Sequence, residues 1–390
     1  MKKADRRSSY LLLSPYSVLK MLESPFLYHM KKDELYELDE QSIAFLAKCN
    51  GTKKGTDLTD DEEFIDYCLE EGLLLAMDQP SKTDIIIGQS FLPSLRYLEL
   101  QLTRRCNLKC LHCYLGPQKK EDLSLQDAIH ISREFESMGG LRLLISGGEP
   151  LLYPSLRKYL DEISQINVRR VLLTNGTKIT AENIQWLNID EIQFSLDGWR
   201  AGHEILRGKG SFDKLVEAIN IAKDAAIQIS IATMVHQGNL NEFDHMKHFI
   251  SDVGACEWGI DALCLSGNLN QNKKLIVSPE QAAPRMKYAF GGGYHGPSDG
   301  FACGRHLMTV LPSGMGVKCG FYEDLILGDA GKSLKDCWLN LNHLPIDELN
   351  CRNCEMIHDC AGGCRFRAPH GTSPDPYMCA LYEINPDKFK

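Results

Sequence analysis

Cys106, Cys110 and Cys113 are spaced C-x3-C-x2-C directly after the strand-like run Tyr97-Leu-Glu-Leu-Gln-Leu102. Three thiolates so close in sequence can grip three corners of a cubane iron–sulfur cluster, whereas a structural zinc site or an all-thiolate cluster needs a fourth local ligand. One iron is then left open to a ligand that is not protein. The bland alternatives are a zinc knuckle and three buried cysteines, since free cysteine is among the most buried residue types.

Sulfur is denser still toward the C-terminus. Cys303-x10-Gly314-x4-Cys319 is followed by Cys351-x2-Cys354-x5-Cys360-x3-Cys364 and then Cys379. Paired C-x2-C segments hold zinc or iron–sulfur clusters where thiols stay reduced. Fifteen cysteines also suit a disulfide scaffold, but such scaffolds are short and exported. The start Met1-Lys-Lys-Ala-Asp-Arg-Arg is basic, yet Tyr10-Leu-Leu-Leu-Ser-Pro15 is interrupted too soon for a secretory signal and reads as a strand. The expectation is metal ligation in an oxygen-sensitive cytoplasmic protein.

A chain of 390 residues, 43% hydrophobic and 24% charged, has ordinary globular composition and the length of two or three domains. No apolar run approaches the roughly eighteen residues of a membrane span, so no membrane partner is expected. A formal net charge of −9 disfavours a nucleic-acid partner.

The first three thiols need a scaffold, and from Leu95 onward strand and helix patterns alternate. Strands are expected at Tyr97–Leu102, Arg142–Ser146, Val171–Thr174, Glu191–Ser195, Gln228–Thr233 and about Ala262–Leu265. Between them, helices are expected at Leu125–Met138, Ser155–Gln165, Ala181–Leu187, Phe212–Ala225 and Leu240–Val253. Such alternation means parallel strands with helical crossovers, and six units make an incompletely closed α/β barrel, a partial (β/α)6 TIM barrel. Its chemistry belongs on loops at the C-terminal strand ends.

Each recognisable motif falls there. Ser146-Gly147-Gly148-Glu149-Pro150 follows the second strand, and its two glycines let backbone approach a ligand closely. Thr174-Asn175-Gly176 follows the third and is by itself a turn signal. Ser195-Leu-Asp197-Gly198 follows the fourth, then His203, a structural residue on this reading, and Arg207, whose fork suits a carboxylate. Gly291-Gly-Gly293 is no phosphate loop, because it lacks a strand-to-helix context and a following lysine.

Residues 1–77 form a small winged-helix-like α+β module. Short strands at Tyr10–Leu13, Ser17–Leu22 and Phe26–Met30 precede Leu35–Leu38, which leads toward a helix at Gln41–Ala47 that Asn50-Gly51 stops. A second helix carries Phe64, Ile65, Cys68, Leu69 and Leu73 on one face behind a Thr59/Glu62 capping box. Residues 78–94 read as a linker with an edge strand.

The three-thiol loop with its strand-end motifs resembles the radical SAM superfamily, where S-adenosylmethionine (SAM) chelates the open iron through its amine and carboxylate. The resemblance implies that Gly147, Gly148 and Glu149 form the segment that hydrogen-bonds the methionyl amine. It implies that Ser195 and Arg207 bind the SAM carboxylate and ribose, with Asn175 and Asp197 counted beside them as cofactor-binding. It also implies one-electron cleavage of SAM to methionine and a 5′-deoxyadenosyl radical that abstracts a substrate hydrogen, with flavodoxin or ferredoxin as electron donor.

The C-terminal seven-cysteine pattern resembles the SPASM domain, which implies two auxiliary clusters and so three 4Fe–4S clusters in all. The family's interleaved ligation would give Cys303, Cys319 and Cys364 to the first auxiliary cluster and Cys351, Cys354, Cys360 and Cys379 to the second. Relatives with a full first cluster carry another cysteine a few residues after the first, and Gly304-Arg-His-Leu-Met-Thr309 has none. That leaves an open iron, or Cys337 or His306 as the fourth ligand. Cys49, Cys68, Cys256 and Cys264 stand outside any ligand spacing and read as core residues.

The N-terminal module resembles the precursor-peptide recognition domain typified by the peptide chaperone of pyrroloquinoline quinone biosynthesis, or else is a structural prop. With 78–94 as linker, 95–267 as radical SAM core, 268–300 as bridge and 301–390 as SPASM domain, the whole resembles maturases of ribosomally made peptides. The partner implied is a precursor peptide with a leader, cross-linked by thioether or carbon–carbon bonds. Haem-pathway tetrapyrrole modification is one alternative, because relatives there share C-x3-C-x-H-C-Y, here Cys106 to Tyr114 with His112 before the third thiol. Sulfatase-type maturation is another, but Gly320 stands where those relatives carry an aspartate. Glu257, Asp261, Glu323, Asp324 and His306 are the nearest acid–base candidates, and none is singled out.

Overall fold

A computed structural model of the chain describes residues 8–58, 61–292 and 300–389, which fall into two compact units. The first runs to Arg96 and takes in Phe135–Leu141 and Asn167–Arg169. Its elements are β1 (Tyr10–Leu13), β2 (Ser17–Met21), β3 (Pro25–His29), β4 (Glu34–Glu37), α1 (Glu40–Leu46), β5 (Asn50–Lys54), α2 (Glu62–Glu70), β6 (Leu74–Met77) and β7 (Ile87–Gln89). They form two sheets, ordered β5-β1-β6 and β4-β3-β2-β7. Asp39 caps α1 by accepting the Ser42 N–H at 2.7 Å, and Asp61 caps α2 through Phe64 N–H at 2.9 Å. Thr59, half of the expected capping box, lies outside the described residues. Phe45 and Leu46 of α1 and Ile65 and Cys68 of α2 bury against Leu11, Leu19 and Leu27. Each such side chain contributes about 1.5–3 kcal/mol by leaving water.

Strand pairing here overrides local signals. Leu35–Leu38, expected to lead into a helix, lies largely in β4 on the edge of β3. Asn50-Gly51, expected only to stop a helix, opens β5 against β1. Gly51 has φ +82, and a Cβ there would stand 2.0 Å from Ser81 O, so glycine is required by packing as well as by the turn. Residues 78–94 are tied in: Ser81 N–H and Thr83 N–H donate to Gly51 O and Asn50 O, and β7 runs parallel to β2.

The second unit is built on β8 (Tyr97–Gln101), α3 (Leu125–Ser137), β9 (Arg142–Ser146), α4 (Leu156–Glu162), β10 (Arg169–Thr174), β11 (Glu191–Ser195), α5 (Arg200–Arg207), α6 (Ser211–Asp224), β12 (Gln228–Val235), α7 (Phe243–Val253) and β13 (Glu257–Ala262). There follow α8 (Pro279–Met286), β14 (Leu307–Val310), β15 (Met315–Val317), β16 (Ile326–Asp329), α9 (Leu334–Leu339), α10 (Ile357–Cys360) and α11 (Pro376–Leu381). The six strands β8 to β13 lie side by side in chain order, the partial barrel-like sheet of an α/β fold. The sheet does not end at β8: β14 pairs with it in parallel, from Leu307 opposite Tyr97 to Val310 opposite Leu100, and β15 and β16 continue antiparallel. The cysteine-rich region therefore shares one nine-stranded sheet with the barrel.

Helix periodicity explains the cover on this sheet. Phe212, Leu215, Ile219 and Ala222 on α6 and Phe243, Met246, Ile250 and Val253 on α7 are all buried at three- and four-residue spacing. The last barrel strand lies earlier than expected, at Glu257–Ala262, because Trp258 fills the core and Glu257 pairs opposite Ser230. The Ala181–Leu187 helix is reduced to a single tight turn at Asn183–Gln185. No described helix is long and apolar enough to cross a membrane.

Candidate functional site

The cysteine loop leaves β8 and is backed by the loop that leaves β9. Gly148 N–H donates to Thr103 O and Glu149 N–H to Arg105 O, both at 2.7 Å. A Cβ on Gly147 would stand 2.5 Å from Thr103 O, and one on Gly148 would stand 2.4 Å from Arg105 O. The close approach that the glycines permit is thus first to the chain's own cysteine loop. Cys110 is buried, while Cys106 and Cys113 are half-buried.

Glu149 joins this pair of loops to the next. It is fully buried and accepts the Thr174 hydroxyl at 2.8 Å, Asn175 N–H at 3.0 Å and Leu151 N–H at 3.2 Å. Burial raises its pKa, against the pull of those donors. Asn175, expected to touch a cofactor, spends its amide inside the protein. Its Oδ1 accepts Thr177 N–H and the Thr177 hydroxyl, and its Nδ2 donates to Asn107 of the cysteine loop at 3.2 Å.

The loop after β11 supplies the charge. Ser195 is half-buried at that strand's end, opposite Ala232. Asp197 is fully buried, accepts Met234 N–H at 2.8 Å and takes the Arg207 Nε hydrogen. Burial alone would raise its pKa, but Arg207, then His112, hold its carboxyl well below the usual range. His203 Nδ1 accepts Asp197 N–H at 3.3 Å, and His236 and Asn239 reach Asp197 O at 2.8 and 2.9 Å. His203 is buried and spends its Nδ1 on the Asp197 N–H. Burial takes His112 down to about 4, which leaves it neutral near pH 7. Burial also pushes the Cys110 thiol up to about 11, while Arg207 pulls it down.

This constellation fits an iron–sulfur cluster. Three sequestered sulfurs on one loop have a buried guanidinium close enough to favour their thiolates. Among the described residues no three Cys, His, Asp or Glu side chains meet as ligands of one metal ion. A lone zinc needs that convergence, and a cubane, whose thiolates sit on separate irons, does not.

Residues 100–250 match the family described as the Radical SAM superfamily. The chain carries a radical SAM domain. Over 197 residues the chain is 28% identical to an AdoMet-dependent heme synthase of Oleidesulfovibrio alaskensis, covering 48% of this chain and 51% of that protein. A longer match of 306 residues, 26% identical, joins it to the PqqA peptide cyclase of Rhizobium meliloti over 69% of this chain and 81% of the other. The chain spans about half the length of the heme synthases it matches. Its fold is like that of Streptococcus suis SuiB, solved bound to precursor peptide SuiA. The TM-score is 0.69 at 16% identity, covering 94% of this chain and 98% of SuiB.

Beyond the radical SAM domain the C-terminal cysteines gather in two groups. Cys351, Cys354, Cys360 and Cys379 line one pocket with Met356, Met378 and Tyr382, a grouping of sulfur and apolar side chains that suits a second cubane. Cys303 and Cys319 both lie near enough to Cys364 to interact with it. Cys337 lies elsewhere, its sulfur packed where a Cβ on Gly316 or Gly328 would stand 3.1 Å away. Of the cysteines set aside as core, Cys49 and Cys68 are buried, Cys256 is exposed, and Cys264 sits against Cys364.

Sequence reasoning passed over Glu99. From the middle of β8 it accepts the hydroxyls of Ser146 and Thr309 at 2.8 Å and of Tyr114 at 3.2 Å. Burial first, then Glu99, drives the Tyr114 pKa well up. The signal was present, since Tyr97, Glu99 and Gln101 alternate with leucines and so share one face of the strand. Most of the acid–base candidates are occupied: Glu257 pairs with Arg142 at 3.5 Å, Glu323 with Arg104 at 2.7 Å, and Asp261 with Arg367.

Proposed function

We propose that the chain is a radical SAM peptide maturase that oxidatively cross-links a ribosomally made precursor. The observation that carries this is the reach of the likenesses. The heme synthases match about half of the chain, while the peptide cyclase extends well past the barrel and SuiB spans almost all of it. On this reading Cys106, Cys110 and Cys113 hold the first cluster. Bound there with SAM, that cluster supplies one-electron reduction of a sulfonium and hence a hydrogen-abstracting carbon radical. Asp197 orients Arg207 so that the rest of its fork faces a SAM carboxylate, and Ser195 adds a hydroxyl from the neighbouring strand end. Glu149 holds the Gly147-Gly148 loop and the Thr174-Asn175 turn at one spacing. Cys303, Cys319 and Cys364, and Cys351, Cys354, Cys360 and Cys379, would hold two auxiliary clusters, which would supply an acceptor for the electron left by substrate oxidation, with an electron donor such as flavodoxin or ferredoxin.

The N-terminal unit would take the leader as an added strand on the free edge of β4, whose Glu34 and Glu37 are exposed. Deleting residues 1–77 would strip β7 of its partner β2, so charge reversal at Glu34 and Glu37 is the cleaner test of leader affinity.

Tetrapyrrole side-chain modification is the second reading, favoured by the heme-synthase relatives. The deciding experiment is anaerobic reconstitution with SAM, reductant and the short peptide encoded beside the gene. Loss of about two hydrogens per link with release of 5′-deoxyadenosine supports the maturase. Turnover with a porphyrin and none with peptide overturns it.

A further inference from the structure

The resemblance to the SPASM domain implies three thiols for the first C-terminal cluster, and the structure brings a fourth to them from a different part of the chain. Cys264 lies just past β13, at the C-terminal mouth of the barrel, and is 7% exposed. Its sulfur lies within interaction range of the Cys364 sulfur, and so does that of Cys303. Cys319 is the fourth member of this group of sulfurs.

The approach of Cys264 to Cys364 is built into the fold. Arg367, three residues beyond Cys364, donates to Asp261 and to Ala262 O at the end of β13. The same guanidinium grips Asp375 at 2.7 Å, and Asp375 in turn accepts Cys364 N–H at 2.9 Å. One buried arginine thus bolts the Cys364 turn to the strand end that carries Cys264. On its other side, the loop after Cys264 reaches the first cysteine loop. Asn268 N–H donates to Cys113 O at 2.9 Å and its amide to Cys110 O at 3.0 Å, and Gly267 stands so close that a Cβ would lie 2.2 Å from Cys113 O.

We propose that Cys264 is the fourth ligand of the first auxiliary cluster, completing the set Cys264, Cys303, Cys319 and Cys364. This rests on the reading that the C-terminal cysteines hold iron–sulfur clusters. A cubane with four protein thiolates has no open position for a substrate thiolate, so the peptide would be held by protein groups alone. Because Cys264 belongs to the barrel and the other three to the cysteine-rich region, one cluster would also cross-link the two regions.

The test uses the full chain, reconstituted anaerobically, with Cys106, Cys110 and Cys113 replaced by alanine so that only the C-terminal clusters contribute. Iron and sulfide are counted first; a count of none means that the auxiliary-cluster reading itself fails, and the proposal with it. With iron present, the EPR spectrum of the reduced protein is recorded with and without added 2-mercaptoethanol. The expectation is no change with Cys264 intact. In Cys264→Ala and Cys264→Ser one cluster signal should be lost or shifted, and in Cys264→Ala the added thiol should restore it. His306→Ala and Cys337→Ala should keep the intact spectrum. The proposal is overturned if the intact protein already responds to the thiol and Cys264→Ala responds alike. It is equally overturned if His306→Ala or Cys337→Ala moves the signal and Cys264→Ala does not.

Discussion

Gly320 faces the ring of Tyr114 so closely that a Cβ at 320 would stand 2.6 Å from its Cε2. Tyr114 is itself fixed by Glu99 and Gln101. An aspartate at 320, the residue expected of sulfatase-type maturation, therefore has no room here. Gly320→Asp should destabilise the protein by roughly 1–3 kcal/mol, as overpacking does, and Tyr114→Ala should recover part of that loss. A double-mutant cycle on urea midpoints measures the coupling. Full stability in the single Gly320→Asp variant would show the contact to be yielding.

Glu149 is an acceptor for three donors, two of them backbone N–H groups. Glutamine keeps the shape but turns an N–H₂ toward one of those donors. Glu149→Gln should lose about 1–3 kcal/mol, the usual cost of an unsatisfied buried polar group. SAM affinity should fall with it, because the Gly147-Gly148 loop and the Asn175 turn lose their common tether. Thermal unfolding and equilibrium dialysis with SAM read the two effects. Unchanged affinity with lowered stability would confine Glu149 to a packing role.

Much of this was legible because it is periodic or sulfur-rich. The strands at Arg142–Ser146 and Glu191–Ser195 stand where their apolar residues put them, and every motif residue from Gly147 to Arg207 lies at or beyond the C-terminal end of a barrel strand. Long-range pairing was not legible. β14 joining β8 across some two hundred residues leaves no local mark, and neither does the partnership of Cys264 with Cys364. Helix α5 was hidden because its residues were read as a motif. It ends at Gly208, with φ +101, one residue past the Arg207 that meets Asp197.

Arg207 gives one of its nitrogens to Asp197, which leaves the rest of the fork for a second anion. Lysine keeps the charge and loses the fork. Arg207→Lys should weaken SAM binding by about tenfold or more, which corresponds to roughly 1.4 kcal/mol and above. Asp197→Asn leaves the guanidinium buried without its counter-charge and should cost about 3–5 kcal/mol of stability. Dialysis against SAM and denaturant titration separate the two variants. SAM affinity that is indifferent to Arg207→Lys would remove the arginine from the cofactor site.

Lys20 is a buried charge of the first unit. It is 1% exposed, and its Nζ donates to Asn167 O at 3.0 Å. Burial lowers its pKa from 10.5 to about 8, with Glu136 offsetting part of the effect. Below about 8 both folded and unfolded states hold the proton, so the full cost of burying the charge is present. Between about 8 and 10.5 only the unfolded chain holds it, so stability rises with pH across that window. At one pKa unit per 1.36 kcal/mol, the rise attributable to Lys20 is on the order of 3 kcal/mol. Lys20→Met removes the titration while filling the same space. Subtracting its urea midpoints from those of the parent cancels the other groups that titrate in the same range. The difference should climb from pH 8 and level off above 10.5; parallel profiles for the two proteins would mean that Lys20 keeps its ordinary pKa.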